Sequence, residues 1–275
     1  MECVTIIGCG WLGLPLGKSL ATAGYTVKGT TRTAERFPVL AGWGILPVLN
    51  RFDESTDAEG ILAISESDAA IVTVPWSRQI SDRENAALFT RIAHTLAFED
   101  IQRVIVISST SVYPDDLSVC TEEDADPGHP LVMMEKEFLT RIPSVAVVRF
   151  AGLIGPMRHP ARFLAARRHV PSPDAPVNLI HRDDCIGVIS NLLEGRQEGI
   201  FNACAPSHPG RREFYTEACR RLGIEPPQFA ERGEHGGREV SIVKLLEETH
   251  YSFVHPDLYE ALDHCLSDSA EKGNR

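Results

Sequence analysis

The chain has 275 residues and an ordinary globular composition, 43% hydrophobic and 24% charged, which is enough to bury a substantial core. Its formal net charge of -11 disfavours nucleic acid and anionic membranes as partners, and no apolar run approaches the roughly 18 residues of a membrane span. The seven cysteines form no Cys-x-x-Cys pair and no targeting segment precedes the first apolar run, so we expect a soluble, cytoplasmic protein without disulfides or a metal site.

Short apolar runs alternate with longer amphipathic segments through the first 150 residues, a pattern typical of strand-helix-strand crossovers. The predicted strands cover residues 3–8, 25–30, 44–49, 69–74, 103–108 and 145–150. The predicted helices between them cover residues 12–23, 33–41, 57–65, 84–98 and 132–142. Six strands joined by crossovers predict an α/β fold with a doubly wound parallel sheet.

After residue 150 the sequence changes to a Pro- and Arg-rich connection between Gly155 and Pro176. It is followed by a predicted helix over residues 183–193, a strand over 199–203 and a helix over 212–222. This is too little regular structure for an independent second domain. We therefore predict a small C-terminal lobe over the carboxyl edge of the sheet.

The segment Gly8-Cys-Gly-Trp-Leu-Gly13 places a Gly-x-Gly-x-x-Gly motif between the first strand and the first helix. This context is the one that dinucleotide binding requires: the first glycine makes the turn, the second lets the backbone approach a pyrophosphate, and the third lets helix and strand pack closely. The alternative is a tight turn without a ligand. We assign five residues of this loop to cofactor binding: Gly8, Gly10, Trp11, Leu12 and Gly13.

The end of the second strand indicates which dinucleotide binds. NAD-binding proteins usually carry Asp or Glu there, but this strand continues into Thr31 and Arg32, and the next acid is Glu35. Arg32 would pair with a 2'-phosphate, and Thr31 and Thr33 could donate hydrogen bonds to it. We therefore expect NADP(H) to be preferred over NAD(H); the alternative is that Arg32 simply lies on the surface.

Residues after the next three strands complete the expected cofactor site. Asp53 follows the third strand, where it could contact adenine or cap a turn, and Ser108 ends the fifth. Val74 and Pro75 follow the fourth strand, where Pro75 could contact the cofactor only through its carbonyl and apolar ring. Trp76 could instead close the core.

These assignments define the expected domains. Residues 1–150 form a dinucleotide-binding Rossmann domain, and residues 151–265 form a substrate lobe of which residues 178–195 pack back on the Rossmann sheet. Residues 266–275 form a flexible tail.

Four segments together resemble a known superfamily. They are the glycine loop, Ser108-Ser-Thr-Ser-Val-Tyr113, Arg149-Phe-Ala-Gly-Leu-Ile-Gly-Pro156 and Val177-Asn-Leu-Ile-His-Arg-Asp-Asp184. In order and spacing they resemble the extended short-chain dehydrogenase/reductases, often described as NAD-dependent epimerase/dehydratases, from residue 3 to about residue 262. The stretches around Gly155 and Asn202 look like an atypical branch, the YeeZ-like bacterial proteins. The resemblance implies a small-molecule substrate and allows a homodimer, which many superfamily members form.

The resemblance also implies a catalytic arrangement that is incomplete here. It makes Ser109, four residues before Tyr113, the group that holds a substrate oxygen. The usual partner is a Tyr-x-x-x-Lys helix, expected to begin near residues 128–134, in which the lysine lowers the pKa of the tyrosine. That segment contains no tyrosine. The residues four positions after the five tyrosines are Gly29, Leu117, Cys219, His255 and Asp263, so the usual couple is absent.

Several residues could replace the missing proton donor. Tyr113 lies beside the hydroxyl cluster, His129 lies near the missing tyrosine's position, and His159 lies in the connection expected to face the substrate. Lys136 lies between two glutamates, which favours an exposed helix face. His181 is interpreted as structural or as a residue supporting the site.

Four arginines occur close together although the chain is acidic. Arg158 and Arg162 are candidates for binding a substrate carboxylate or phosphate, with a solvated surface as the alternative, whereas Arg167 and Arg168 are interpreted as surface residues. Cys204 has no base near it in the sequence, so we expect it to be a buried thiol.

The leading hypothesis is an NADP(H)-dependent oxidoreductase acting on a small, anionic carbonyl or imine substrate. Hydride would pass between the nicotinamide and a carbon held against Ser109, with Tyr113, His159, His129 or water supplying the proton. An iminium substrate needs less help from an acid, which favours reduction over sugar epimerisation. The alternatives are a catalytically silent NADP(H)-binding redox sensor and a sugar epimerase/dehydratase with a rearranged site.

Overall fold

The computed structural model describes residues 2–53, 63–115, 118–231 and 236–266. Of the helix predicted over residues 57–65, only residues 63–65 fall within these ranges, and they are helical. Apart from Leu266, the predicted tail lies outside the described residues. No helix in the described ranges has both the length and the hydropathy needed to cross a membrane.

The chain forms two compact units that are each assembled from separate segments. The first unit contains Met1–Ser108, Asp126–Val148 and Ile189–Ile200. The second contains Ser109–Ala125, Arg149–Val188 and Phe201–Arg275. The division crosses the chain at several points, one of them between Val188 and Ile189, within the segment 178–195.

A seven-stranded parallel sheet organises the fold, as expected for a doubly wound α/β protein. Its order is β10-β7-β5-β4-β1-β2-β3, with the reversal beside β1 that marks the ligand-binding edge of such sheets. The strands are β1 (Cys3–Ile7), β2 (Thr26–Thr31), β3 (Leu46–Leu49), β4 (Ala69–Val72), β5 (Arg103–Ser109), β7 (Ser144–Phe150) and β10 (Gly199–Ala203). The sequence predicted six strands for this sheet; the seventh, β10, comes from the segment predicted to belong to the small lobe.

The central strands are buried on both faces, because helices cover both sides of such a sheet, whereas the edge strand β3 exposes Leu46 and Leu49. Val4, Ile6 and Ile7 of β1 and the whole of β4 are almost completely buried, which explains why their sequences are continuous apolar runs instead of alternating ones. The end of the helix Arg182–Gly195 and the segment after it are held in the same unit, since Arg103 of β5 donates hydrogen bonds to the carbonyls of Leu192 and Gln197.

The helices follow the amphipathic segments of the sequence. They are α1 (Gly13–Thr22), α2 (Phe37–Gly42), α3 (Asp82–Phe98), α4 (Pro130–Leu139), α5 (Ala161–Leu164), α6 (Arg182–Gly195), α7 (Arg211–Leu222), α8 (Val243–Thr249) and α9 (Leu258–His264). The predicted helix over 33–41 is a short 3-10 turn, Ala34–Arg36, followed by α2. Helix α3 begins two residues earlier than predicted because Ser81 and Glu84 form a capping box.

The second unit is built on two small parallel ladders and its own core. Strand β8 (Gly152–Ile154) pairs with β9 (Leu179–His181), and β6 (Val119–Cys120) pairs with β11 (Glu239–Val240). Helices α7 and α9 bury one face each against this unit's core, which includes Ile154, Leu179, Phe214, Leu258 and Leu262. Apolar contact therefore holds the unit together with little regular sheet.

Candidate functional site

The glycine loop has the backbone geometry that its motif predicts. Gly8 has φ +101°, and a Cβ there would lie 3.0 Å from the backbone nitrogen of Val74. A Cβ on Gly13 would lie only 2.4 Å from the carbonyl oxygen of Gly8, so the start of α1 can approach the strand only with glycine at this position. The Gly10 amide donates to that same carbonyl at 2.8 Å, which closes the turn.

The side of the loop that a cofactor would approach is open. Gly10 is exposed, and a Cβ built on it would meet no protein atom within 4 Å. Helix α1 begins after Leu12, which makes no side-chain capping bond. In its first turn the Leu14 amide donates to the Gly10 carbonyl at 3.1 Å and Pro15 has no amide hydrogen, so the Gly13 amide is the one in this turn without a described partner. Trp11 is half-buried and Leu12 is buried. These residues fit a dinucleotide pyrophosphate.

The threonines at the end of β2 have different surroundings. The Thr30 hydroxyl accepts a hydrogen bond from the Gly8 amide at 3.1 Å and so supports the loop. The Thr31 hydroxyl is buried and donates to the Thr33 carbonyl at 3.2 Å. Its proton is therefore already engaged, whereas Thr33 is exposed and lies at the surface where a 2'-phosphate would bind.

Two further arginines contact the backbone around the end of β2 and the glycine loop, beside Arg32, which was predicted from the sequence. Arg32 is exposed, and its side chain has no hydrogen-bond or ion-pair partner among the described residues. Arg36 donates from Nη2 to the Cys9 carbonyl at 3.0 Å, and Arg51 donates from Nε to the Arg32 carbonyl at 2.8 Å.

Asp53 is exposed and lies at a cleft of about 290 Å³. The other lining residues are Asn50, Phe52, Thr90, Arg91, His94 and Thr95. Arg91 of α3 donates from Nε to the Phe52 carbonyl at 2.6 Å, which ties the end of β3 to this helix. The cleft is partly polar and open, so Asp53 is accessible to a ligand.

The residues after β4 lie beside the glycine loop. Val74 packs against Gly8, and Pro75 is exposed. Trp76 stacks on Phe89 with ring centroids 5.8 Å apart and donates from Nε1 to Asp82 at 3.0 Å. The alternative interpretation of Trp76, that it closes the core, is the one that the structure favours.

Ser108 is buried and its hydroxyl donates to Oε1 of Glu135 at 2.5 Å. Lys136 is exposed, as its position between two glutamates indicated. Glu135, the residue before it, is only 1% exposed and so does not lie on that exposed helix face. Because its proton is engaged by Glu135, the Ser108 side chain is not free to donate to a cofactor.

The helix expected to carry the Tyr-x-x-x-Lys couple is α4. It begins at Pro130, within the expected range, and Nδ1 of His129 caps it by accepting from the Leu131 amide at 3.2 Å. His129 is half-buried. One nitrogen of His129 therefore has a structural role at the helix end.

Ser109 and Tyr113, both in the second unit, have opposite environments. The Ser109 oxygen accepts from the Ser111 amide at 3.1 Å, which leaves its hydroxyl hydrogen free to donate. Tyr113 is 4% exposed; its hydroxyl donates to Oδ1 of Asn202 and accepts from Nη1 of Arg149 at 3.0 Å. Burial raises the pKa of Tyr113 above its ordinary value in spite of Arg149. This geometry argues against the hypothesis that Tyr113 transfers the proton.

His159 is also in a structural environment. It is 3% exposed, and its Nδ1 accepts from the Ala161 amide at 3.2 Å. Burial, reinforced by Arg162 and Arg221, lowers the pKa of His159 to about 4. A buried imidazole with so low a pKa is neutral at pH 7, so the structure argues against His159 as the general acid.

The arginine candidates of the second unit are exposed. Arg158 follows the turn at Gly155, and Arg162 lies in α5. Burial of part of the side chain lowers the pKa of Arg158. Both remain accessible to an anionic ligand, and neither has been brought next to Ser109 by a described contact.

Arg238 is a candidate that sequence reasoning missed. Its Nη2 donates to the carbonyl of Thr110, the residue after Ser109, at 3.1 Å, and its Nη1 pairs with Asp115. Asn178 holds it in place by donating to the Arg238 carbonyl at 2.7 Å. Burial lowers the pKa of Arg238. Ser109 and Arg238 are far apart in the sequence, so no sequence pattern predicts this contact.

Cys204 is a buried thiol, as expected. It is fully buried, and its Sγ lies 3.5 Å from the Leu179 carbonyl. Burial raises the pKa of Cys204 well above its ordinary value. This environment is the opposite of the one that activates a nucleophilic cysteine.

Comparison with known proteins places these features in a family. No protein-family model matches the sequence. The chain is 35% identical to Protein YeeZ of Escherichia coli strain K12 over 270 residues, which cover 94% of this chain and 97% of YeeZ. Because this similarity extends over nearly both full lengths, it includes the glycine loop and the second unit together.

Solved structures with the same fold have lower identities. MoeE5 in complex with UDP-glucose and NAD is 16% identical with a TM-score of 0.78, and the match covers 96% of this chain and 97% of that chain. Human epimerase family protein SDR39U1 with NADPH is 19% identical with a TM-score of 0.70, covering 96% and 99%. The enzyme WbmG of Bordetella bronchiseptica in complex with NAD is 15% identical with a TM-score of 0.75, covering 96% and 92%. These solved structures share the doubly wound fold of this protein, and by its sequence similarity to YeeZ the chain belongs to the YeeZ family.

Proposed function

We propose that this protein is an NADP(H)-dependent oxidoreductase that reduces a small, anionic carbonyl or imine compound. The observation that carries the proposal is the group of three arginines, Arg32, Arg36 and Arg51, at the end of β2 beside an open glycine loop. A 2'-phosphate is the part of NADP(H) that NAD(H) lacks, and a guanidinium binds phosphate through paired, charge-assisted hydrogen bonds.

The preference for NADP(H) is tested by titrating NADPH and NADH into the wild type and into Arg32→Ala. A hydrogen bond to a charged group contributes about 1.5–3 kcal/mol, so we expect the variant to bind NADPH about 10- to 100-fold more weakly and NADH about equally well. Arg141→Ala, which removes an exposed arginine next to the end of α4, is the matched control. Tighter binding of NADH than of NADPH by the wild type would refute the preference.

The proposed reaction uses few groups of the chain. NADPH held at the glycine loop and Arg32 would supply the hydride that reduces the carbonyl or imine carbon of the substrate, and the substrate oxygen or nitrogen would take its proton from water. The Ser109 hydroxyl donates a hydrogen bond to that oxygen or nitrogen, since no described residue accepts its hydrogen. Water replaces a side-chain acid because Tyr113 and His159 are both held in buried hydrogen bonds.

The substrate's anionic group is assigned to arginines of the second unit. Arg158 and Arg162 are accessible, and Arg238 contacts the carbonyl of the residue after Ser109. We expect Arg238→Ala to raise KM for an anionic substrate more than for its uncharged amide analogue. Equal effects on the two compounds would remove Arg238 from this role.

Turnover is tested by mixing the protein and NADPH with keto acids, aldehydes and cyclic imines. We expect one of these classes to oxidise NADPH, and Ser109→Ala to lower kcat by tenfold or more while Ser118→Ala, an exposed serine in the same unit, has no effect. Tight NADPH binding without oxidation by any compound would instead support the second candidate, a catalytically silent NADP(H)-binding redox sensor. That candidate is favoured by the structural roles of Tyr113 and His159.

A further inference from the structure

A cluster of histidines and an aspartate lies in the second unit. His181 ends β9, Asp183 is in the first turn of α6, and His255 lies in the segment before α9. The rings of His181 and His255 have centroids 4.1 Å apart, and the ring of His264 lies 4.5 Å from that of His255. Three imidazoles and a carboxylate therefore meet within one small region.

The atoms of this cluster have the separations of ligands around one ion. Oδ2 of Asp183 lies 3.5 Å from Nδ1 of His181 and 3.4 Å from Nε2 of His255, and all three atoms lie within 4.8 Å of one another. Tetrahedral ligands about 2.0–2.1 Å from Zn²⁺ are separated by roughly 3.4 Å. Two of the three separations match that value without any movement of the chain.

The ligand side chains also have the burial expected of a built site. His181 is 1% exposed and His255 is buried, whereas the Asp183 side chain is 50% exposed. Nδ1 of His181, the proposed ligand atom, accepts a hydrogen bond of 3.3 Å from the Asp183 amide, which an ion would replace. The other ring nitrogen, Nε2, is buried without a hydrogen-bond partner in the described part of the chain.

A neighbouring carboxylate fixes the segment that carries His255. Asp184 is fully buried and accepts hydrogen bonds from the Tyr251 hydroxyl at 3.0 Å, the Val254 amide at 2.7 Å and the His255 amide at 3.0 Å. These three bonds hold His255 opposite His181. Orientation of ligands by surrounding hydrogen bonds is a regular property of metal sites.

We propose that His181, Asp183 and His255 bind a divalent transition-metal ion, with Zn²⁺ as the ion that this ligand set favours. Two imidazoles and one carboxylate suit Zn²⁺ and leave one position for water, which can enter on the exposed side of Asp183. The cysteine pattern gave no indication of this site because none of its ligands is a cysteine. The site is separate from the proposed reduction and does not depend on it.

The proposal is tested with tag-free, chelator-treated protein and Zn²⁺ alone as the probe. We expect one Zn²⁺ per chain by equilibrium dialysis with elemental analysis, and a rise in Tm of roughly 5 °C at about 100 times Kd. Co²⁺ is expected to give a visible spectrum without the strong charge-transfer band of a thiolate ligand, which separates this site from binding by cysteines.

Variants distinguish the cluster from general surface binding. We expect Asp183→Asn and His255→Gln to weaken Zn²⁺ binding by tenfold or more, and Tyr251→Phe, which removes one bond to Asp184, to weaken it by about tenfold. His94→Ala, an exposed histidine of the first unit, is the matched control and should leave the Kd unchanged. Asp183 is half exposed, so Asp183→Asn should fold even if a change at His255 does not. No Zn²⁺ binding by the wild type, or equal binding by wild type and Asp183→Asn, would overturn the proposal.

Discussion

The hydroxyl of Tyr113 donates a hydrogen bond to the carboxamide oxygen of Asn202 inside the second unit. Arg149 completes the arrangement by donating to the same hydroxyl at 3.0 Å and to the Glu122 carbonyl at 2.8 Å. The side-chain carboxylate of Glu122 in turn accepts a hydrogen bond from the backbone amide of Asn202 at 2.8 Å. The tyrosine that follows the hydroxyl cluster is therefore part of a buried polar network that joins three segments of the chain.

Removing the Tyr113 hydroxyl should lower the stability of the fold without lowering kcat. Tyr113→Phe leaves the donor of Arg149 and the acceptor of Asn202 without their partner, which typically costs about 1–3 kcal/mol of unfolding free energy. Urea unfolding measures this loss. Tyr215→Phe, another buried tyrosine, is the control and should change stability much less, because no described hydrogen bond holds its hydroxyl. A large fall in kcat for Tyr113→Phe with unchanged stability would return Tyr113 to the catalytic role.

Two glycines of the cofactor loop should respond differently to the same substitution. In Gly13→Ala the new Cβ would lie 2.4 Å from the Gly8 carbonyl oxygen, so we expect a loss of about 1–3 kcal/mol of stability together with loss of NADPH binding. In Gly10→Ala the new Cβ meets no protein atom within 4 Å, so stability should change by less than about 0.5 kcal/mol. NADPH affinity should still fall at least tenfold, because the methyl group lies where the pyrophosphate approaches. Unchanged NADPH affinity in Gly10→Ala would contradict the assignment of this loop.

The burial of His159 should make the protein less stable in mild acid. Burial lowers the pKa of His159 from 6.5 to about 4, so between these values the unfolded chain takes up a proton that the folded chain does not. The stabilisation from keeping this imidazole neutral is complete above pH 6.5 and is lost as the pH falls towards 4, a change of at most about 3 kcal/mol.

His159→Asn isolates this effect, since its side-chain oxygen can still accept from the Ala161 amide. Urea unfolding at several pH values between 7 and 4, with a chelator present, should show a smaller loss of stability in the variant than in the wild type. A pH dependence equal in the two proteins would show that His159 does not contribute.

The cysteines should differ sharply in reactivity. Six of the seven are buried, and Cys3 is the half-buried exception. Burial raises the pKa of Cys9 to about 12 and raises the pKa of Cys204 further, so neither forms the reactive thiolate at neutral pH. We expect an alkylating reagent to label about one thiol, at Cys3, in the native protein and all seven in urea, as measured by mass spectrometry. Rapid native labelling of Cys204 would contradict its inert environment.

The sequence was sufficient to predict most strands of the sheet, because the central strands are buried on both faces and appear as continuous apolar runs. Runs such as Val4 to Ile7 can only be central strands when a glycine turn and an amphipathic helix follow, and the strand predictions agree with the structure to within about two residues. Strand β10 was also predicted at its correct position. Its place beside β7 was not, since the order of strands depends on contacts distant in the chain.

The candidate site could be predicted only where its residues lie close together in the sequence. The glycine loop and Arg32 lie within one strand-helix-strand unit, so a motif is enough to find them. The partners of Ser108 and Tyr113 lie 27 and 89 residues away, and no periodicity links a serine to the buried Glu135 or a tyrosine to Asn202. Tertiary contacts of this kind decide which hydroxyls are free to react.

The three hydrogen bonds that Asp184 receives also set a limit on how far the chain can be shortened. All three donors lie within residues 251–255, so a protein truncated after residue 250 would lose all three bonds at once. It would also lose Leu258 and Leu262 of α9 from the core of the second unit, and each fully buried leucine contributes about 2–5 kcal/mol of stability. The C-terminal segment through α9 is therefore an integral part of the folding unit, and a protease that cleaves before Tyr251 should release a product that unfolds.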